Sequence, residues 1–123
     1  LIAADTSSLI AYLAGLDGPD IDQIELAIAT DQLRIPPPVI SEMLTQGSAD
    51  VEHLLATVPK LPIDDGFWER AGRSRALVRS QGFKANLPDT LIAQCCIDAG
   101  AGLIARNRDY SHFAEFCGLT LAV

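Results

Sequence analysis

Short apolar runs alternating with longer amphipathic stretches predict an α/β fold, with helices on both faces of a central, mostly parallel sheet of about five short strands, a three-layer α/β/α arrangement. The candidate strands lie too far apart in sequence to form hairpins, so they have to run parallel, joined by crossovers. Between them the apolar positions recur at helical spacing. With 123 residues one core suffices, and residues 1–123 read as a single domain without repeat, low-complexity tract or linker.

Leu1 to Ala4 is a first strand ending at Asp5. Thr6, Ser7 and Ser8 offer capping hydroxyls before the apolar positions Leu9, Ile10 and Leu13, giving strand, sharp turn, helix. Gly15, Gly18 and Pro19 break that helix, and Asp20 or Asp22 caps a second through Ile24, Leu26, Ala27 and Ile28. Leu33 to Pro36 is a second strand. Of the three prolines Pro36 to Pro38, the last opens a helix carrying Val39, Ile40, Met43 and Leu44. Ser48 or Asp50 begins the next helix, and Leu61 to Ile63 make a third strand. Asp64 or Asp65 caps a long helix whose face runs Phe67, Ala71, Ser74, Val78, closed by Gly82. Pro88 starts a helix burying Leu91, Ile92, Cys95, Cys96 and Ala99. The strands Leu103 to Ala105 and Leu119 to Ala122 enclose a last short helix.

A hydrophobic content of 49% with 20% charged residues excludes a disordered acidic tail. Asp5 interrupts the opening apolar run and no basic leader precedes it, so the run reads as mature structure, not a secretion signal. No stretch is apolar for long enough to span a bilayer. Cys95, Cys96 and Cys117 lack C-x-x-C spacing and read as reduced, buried thiols of a cytoplasmic protein. The net charge of −7 argues against nucleic acid until its distribution is considered. Residues 1–63 hold nine acids and two bases, whereas residues 64–123 hold seven of each, five of the bases falling between Arg70 and Lys84. An acidic half beside a segment rich in arginine suits a cation-holding pocket with a rim that contacts phosphate.

The chemistry-bearing residues fall at strand ends and helix starts, the places where ligands gather in such folds. Asp5 ends the first strand, Glu42 lies on the helix after the second, Asp89 sits in the first turn after Pro88, and Asn107 and Asp109 follow the strand Leu103 to Ala105. Each has an ordinary reading taken alone. Asp5 or Asp109 serves as a cap, Glu42 as a solvated acid and Asp89 as a favourable charge at a helix start. Those readings leave their joint placement unexplained. Clustered carboxylates repel one another unless a cation neutralises them, and hard divalent Mg²⁺ or Mn²⁺ suits oxygen ligands with retained waters.

Four blocks, IAADTSSLIAYL, PPPVISEML, GFKANLPDTLIAQCC and LIARNRDYSHF, carry a resemblance across essentially the whole chain to the PIN-domain family, and within it to the VapC-type toxins of toxin–antitoxin pairs. The resemblance implies a metal-dependent endoribonuclease that cuts by a metal-activated water and leaves a 5′-phosphate and a 3′-hydroxyl. Its acids fall on Asp5, Glu42 and Asp89, with metal held chiefly by Asp5 and Asp89, and either Asn107 or Asp109 completes the site. Family members often have Thr-x-Asp or Thr-x-Asn before an Asp-Phe pair. Here Ala105, Asn107, Asp109 and Tyr110 stand instead, so the threonine is absent and Asn107 is neutral. Thr6, and secondarily Ser7, would hydrogen-bond within the cluster. Arg73, Arg75, Arg79, Lys84, Arg106 and Arg108 are candidates for steering RNA, and His53 and His112 are read as surface or helix-end residues and not as catalytic ones. The implied partners are an RNA substrate and a cognate antitoxin, with a homodimer or toxin–antitoxin hetero-oligomer as the assembly.

A dinucleotide-binding module would need glycines after the first strand, where DTSSLIAYL has none. A phosphatase would need a second Asp where Ser7 stands, and both it and a signalling receiver would need a lysine after a late strand, where neither Lys60 nor Lys84 lies. The remaining alternative is a catalytically degenerate PIN-like domain kept for RNA or protein binding.

Overall fold

A computed structural model describes residues 1–123. The central strand β1 (Ile2–Ala4) pairs in parallel with β2 (Leu33–Arg34) on one side and β3 (Gly102–Ile104) on the other, giving the order β2-β1-β3. Ile2 stands opposite Leu33 and Gly102, and Ala4 opposite Ile104. Successive residues of a strand face opposite sides of the sheet. Ala3 and Ala4, like Leu103 and Ile104, are fully buried, so helices cover both faces. These are α1 (Thr6–Leu13), α2 (Pro19–Ala29), α3 (Pro37–Leu44), α4 (Ala49–Thr57), α5 (Phe67–Ser80), α6 (Leu87–Ala99) and α7 (Ser111–Cys117). None is long and apolar enough to cross a membrane.

The sheet has three strands instead of the expected five. The segments at residues 61–63 and 119–122 shrink to single parallel bridges, Ile35 with Lys60 and Leu103 with Leu121. On the first edge Ile35 donates to Pro59 O at 2.9 Å and Leu61 to Ile35 O at 2.9 Å. Prolines 59 and 62 flank that bridge and have no N–H with which to lengthen the ladder. On the other edge the Leu119 amide turns back to Phe113 O at 3.3 Å, which leaves Leu103 alone to bond Thr120 O and the Ala122 amide.

Helix starts also differ. Asp20 and Asp22 do not cap α2, and Asp64 and Asp65 do not cap α5; Gly18 and Gly66 occupy those positions without a side-chain bond. Gly18 adopts φ 148°, and a Cβ there would come within 2.7 Å of Asp20 Oδ1 and 3.0 Å of Arg106 Nη2. The glycine makes room for an ion pair, which is where Asp20 is engaged. Helix α3 begins at Pro37, one residue before the expected Pro38, and α6 begins at Leu87, capped by Asn86. Ser48, one of the two expected caps, accepts from Val51 N at 3.2 Å.

The core gathers Leu9, Ile24, Val39, Met43, Phe67, Val78, Ile92 and Phe113 around the sheet. Cys95, Cys96 and Cys117 are free thiols, the first two fully buried, and burial pushes the Cys95 thiol up to about 12. Two ion pairs tie distant segments. Arg106 Nε and Nη2 donate to Asp20 at 2.8 and 3.0 Å, linking the loop after β3 to α2. Arg70 Nη2 donates to Asp98 at 2.7 Å between α5 and α6, where Gln94 donates to the same carboxylate at 2.8 Å and accepts from Ser74 at 2.6 Å.

These pairs govern acid stability. Hydrogen bonds from Arg106 hold Asp20 below its ordinary value. Burial opposes ionisation of Asp98, and the Arg70 pair with the Gln94 amide outweighs it, so Asp98 is also lowered. Both stay ionised in the folded chain where the unfolded chain, with its ordinary value of 3.8, already takes up protons. Their contribution is therefore complete above about pH 4 and lost as pH falls below it. In urea unfolding the midpoint should drop below about pH 4, and Asp20→Asn and Asp98→Asn should each lower stability at neutral pH while flattening that acid limb.

Candidate active site

The polypeptide turns directly from β1 into α1, and Asp5 stands at that turn. Its amide completes the sheet by donating to Ile104 O at 3.0 Å. Its side chain is the N-cap of α1, with Oδ1 accepting from the Ser8 amide at 3.0 Å, and the Ser7 hydroxyl lies 3.1 and 3.0 Å from the two carboxylate oxygens. Asp5 is only 2% exposed. Burial raises its carboxyl above the ordinary value, the Ser8 and Ser7 hydrogen bonds oppose that, and the charge of Asp89 adds to the rise.

Thr6, one residue on, reaches a different helix. Its hydroxyl donates to Glu42 Oε1 at 2.6 Å and so fixes the half-buried acid of α3 beside α1. Asp89 enters from α6, where the Asn86 cap holds it twice: Asn86 Oδ1 accepts from the Asp89 amide at 2.8 Å, and Asn86 Nδ2 donates to Asp89 Oδ2 at 2.9 Å. Asp89 Oδ1 accepts from the Tyr110 hydroxyl at 3.2 Å. Tyr110 is 1% exposed. Burial, then the charges of Asp89, Asp5 and Glu42, push its phenol far above the ordinary value. It stays a protonated donor.

Asp5, Thr6, Ser7, Glu42, Asp89, Asn107 and Tyr110, with Ile10, line one cavity of about 260 Å³. It opens beyond the carboxyl ends of β1 and β3, where the strand order reverses. Two larger cavities adjoin it. One, of about 500 Å³, shares Glu42 and is mainly apolar, with Pro37, Pro38, Trp68, Leu87, Pro88 and Leu91 in its wall. The other, of about 390 Å³, shares Asp89 and is polar, with Lys84, Asn86, Arg108, Asp109 and His112.

Of the two candidates after β3, Asn107 lines the acidic cavity and Asp109 the polar one beside it. A short turn separates them, in which Asn107 Oδ1 accepts from the Asp109 amide at 3.1 Å. Asp109 does not cap α7, whose first flanking residue is Tyr110. The six basic candidates divide. Arg106 is held by Asp20, Arg75 Nε donates to Ala85 O at 2.8 Å, Arg73 and Arg79 are exposed on α5, and Lys84 and Arg108 face the polar cavity. Tyr110 was legible in the sequence only as an aromatic after Asp109, with no role attached; its contact with Asp89 spans 21 positions of sequence.

As a cation site the cavity offers oxygen donors only. No three acidic, histidine or cysteine side chains converge to metal-holding distance. Mg²⁺ asks for less, one or two carboxylates with several retained waters. Asp5 and Asp89, close enough for the charge of one to raise the pKa of the other, fit that requirement.

The PIN domain family matches residues 2–116. VapC ribonuclease Mb1587 of Mycobacterium bovis and Ribonuclease VapC11 of Mycobacterium tuberculosis are each 27% identical over 131 residues, covering 99% of this chain and 98% of the relative. Among solved structures, the crystal structure of VapBC2 from Rickettsia felis bound to a DNA fragment from their promoter aligns with a TM-score of 0.75 at 18% identity, over 98% of this chain and 96% of that one.

The raised Asp5 carboxyl means that its charge opposes folding at neutral pH, because the unfolded chain ionises more readily. Asp5→Asn keeps a good N-cap and removes the charge, so in EDTA it should melt above the wild type. Asp5→Ala loses the cap as well and should fall below Asp5→Asn by about 0.5–2 kcal/mol in urea unfolding.

Proposed function

This chain belongs to the PIN domain family, and on that premise we propose that it is a Mg²⁺- or Mn²⁺-dependent endoribonuclease and the toxin of a toxin–antitoxin pair. The observation that carries the reading is the convergence of Asp5, Glu42, Asp89 and Asn107 on one cavity at the sheet's switch point, in a chain that is 27% identical along nearly its whole length to relatives named as VapC ribonucleases.

Asp5 and Asp89 would hold the cation, each already oriented: Asp5 by the Ser8 amide and Ser7 hydroxyl, Asp89 by Asn86 and Tyr110. When bound, a divalent ion lowers the pKa of a coordinated water and stabilises charge building on the phosphoryl oxygens. Glu42, with Oε1 held by Thr6, keeps its second oxygen to orient the attacking water and accept its proton. Asn107 supplies a neutral amide at the rim, while Tyr110 fixes the Asp89 carboxylate. In-line attack leaves a 5′-phosphate and a 3′-hydroxyl.

A cognate antitoxin covering this groove, and a homodimer or hetero-oligomer, follow from the same reading. They are supported by the exposed apolar wall next to Glu42, where Trp68 is 62% and Leu87 51% exposed. Apolar surface of this kind beside a site is typical of a protein interface.

Purified chain incubated with total and transfer RNA should cleave in Mg²⁺ or Mn²⁺ and not in EDTA. Asp5→Asn with Asp89→Asn should reduce the rate by at least about 100-fold, and Thr6→Val, which releases Glu42 without touching the ion, by about 10–100-fold. No cleavage in either metal, together with no divalent binding by calorimetry, would sink the catalytic reading and leave a degenerate RNA- or protein-binding domain.

A further inference from the structure

A chain of net charge −7 repels RNA at long range, so the strand near the cut needs cations placed locally. Most of the nine lysines and arginines are committed to the fold. Arg70 and Arg106 hold Asp98 and Asp20. Arg34 donates to the Asp31 and Leu33 carbonyls, Lys60 to those of Leu55 and Val58, and Arg75 to that of Ala85. Arg73, Arg79, Lys84 and Arg108 remain. The first two stand on the exposed side of α5. Lys84 and Arg108 come from different loops, one before α6 and one after β3, and line a single cavity of about 390 Å³.

That cavity shares Asp89 with the acid-lined one, so the two adjoin at that residue. Asp109 lines it too, yet forms an ion pair with neither cation. His112 completes the wall. Its ring is stacked on Phe83 at 3.8 Å and 15°, and its Nδ1 is buried without a hydrogen-bond partner, 3.9 Å from Glu115 Oε2. The arrangement is two uncommitted cations and a pinned imidazole around a polar space that shares Asp89 with the acidic cluster.

Resting on the nuclease reading, we propose that Lys84 and Arg108, with the Nε2 of His112 as a third donor, form a subsite for the RNA phosphate next to the scissile one. Arg108 offers a forked donor set to two phosphate oxygens and Lys84 a point charge. The strand then passes over Asp89 with one phosphate at the acidic cluster and its neighbour in the polar cavity.

The test uses a short single-stranded oligoribonucleotide and derivatives that each carry one neutral methylphosphonate linkage. Kd is read by fluorescence anisotropy in EDTA, and KM by cleavage in Mg²⁺ or Mn²⁺. Neutralising one linkage adjacent to the mapped cut should weaken binding by about tenfold or more, as for loss of a charge-assisted hydrogen bond. Lys84→Gln with Arg108→Gln should weaken the unmodified strand by a similar factor, lower the salt slope by about 0.7 per lost contact, and erase the penalty of that one linkage. Arg73→Gln with Arg79→Gln should leave the linkage pattern unchanged. Wild-type binding indifferent to both flanking linkages, or a double variant that keeps the full linkage penalty, would overturn the subsite. Absence of cleavage would count against the nuclease reading alone, since moving the neutral linkage along the strand shows by Kd, without a mapped cut, whether the double variant erases the penalty at a single linkage.

Discussion

Everything in the site hangs on where β1 ends. The strand is only Ile2–Ala4, but it is the middle one, bonded on both sides and buried on both faces. The alanines at positions 3 and 4 are fully enclosed, and their small side chains allow helices to close over the sheet on either side. The next residue has no freedom left. Its amide is tied to Ile104 O and its side chain to the start of α1, so Asp5 is delivered to the crevice as a consequence of sheet pairing. The other acids reach the same crevice because their helices pack around this strand.

Such delivery is costly. A carboxylate that is 2% exposed and has another carboxylate within electrostatic reach is held in an unfavourable state by the fold itself. The surrounding hydrogen bonds reduce that penalty without removing it. Ser7 and the Ser8 amide serve Asp5, Thr6 serves Glu42, and Asn86 and Tyr110 serve Asp89. The same donors that make the cluster tolerable also hold its oxygens still, which is what a cation needs of its ligands. Stability is given up where function requires charge, and recovered in the core of Phe67, Val78, Ile92 and Phe113.

The electrostatics follow a similar division. The ion pairs of Arg70 with Asp98 and of Arg106 with Asp20 join segments 28 and 86 residues apart. They hold the two long helices together and anchor the loop after β3. By neutralising Asp20 and Asp98 they also take two acids out of the field around the cavity. Charges that remain unpaired near the crevice are therefore those of the cluster on one side and of Lys84, Arg108 and Asp109 on the other.

Much of this was legible in the sequence, because periodicity and local chemistry are local properties. The parallel α/β class, the helices, the burial of Cys95 and Cys96 and the placement of Asp5 at a strand end, Asp89 at a helix start and Glu42 on the helix after β2 could be read from spacing, capping residues and prolines. What the sequence left open turned on partners far along the chain. Whether Leu61 to Ile63 and Leu119 to Ala122 were strands depended on how much of a neighbouring ladder they could reach, and prolines on one edge and a competing carbonyl on the other limited each to one bridge. Arg106 looked like a free cation until Asp20 was brought beside it, and Asn107 and Asp109 could be told apart only by which cavity wall each joined. Tyr110 acquired its role from Asp89, on a different helix. Local sequence determined which elements form and which atoms they carry; only tertiary packing decided which of those atoms meet, because hydrogen bonds and charge pairs depend on distances that spacing along the chain does not encode.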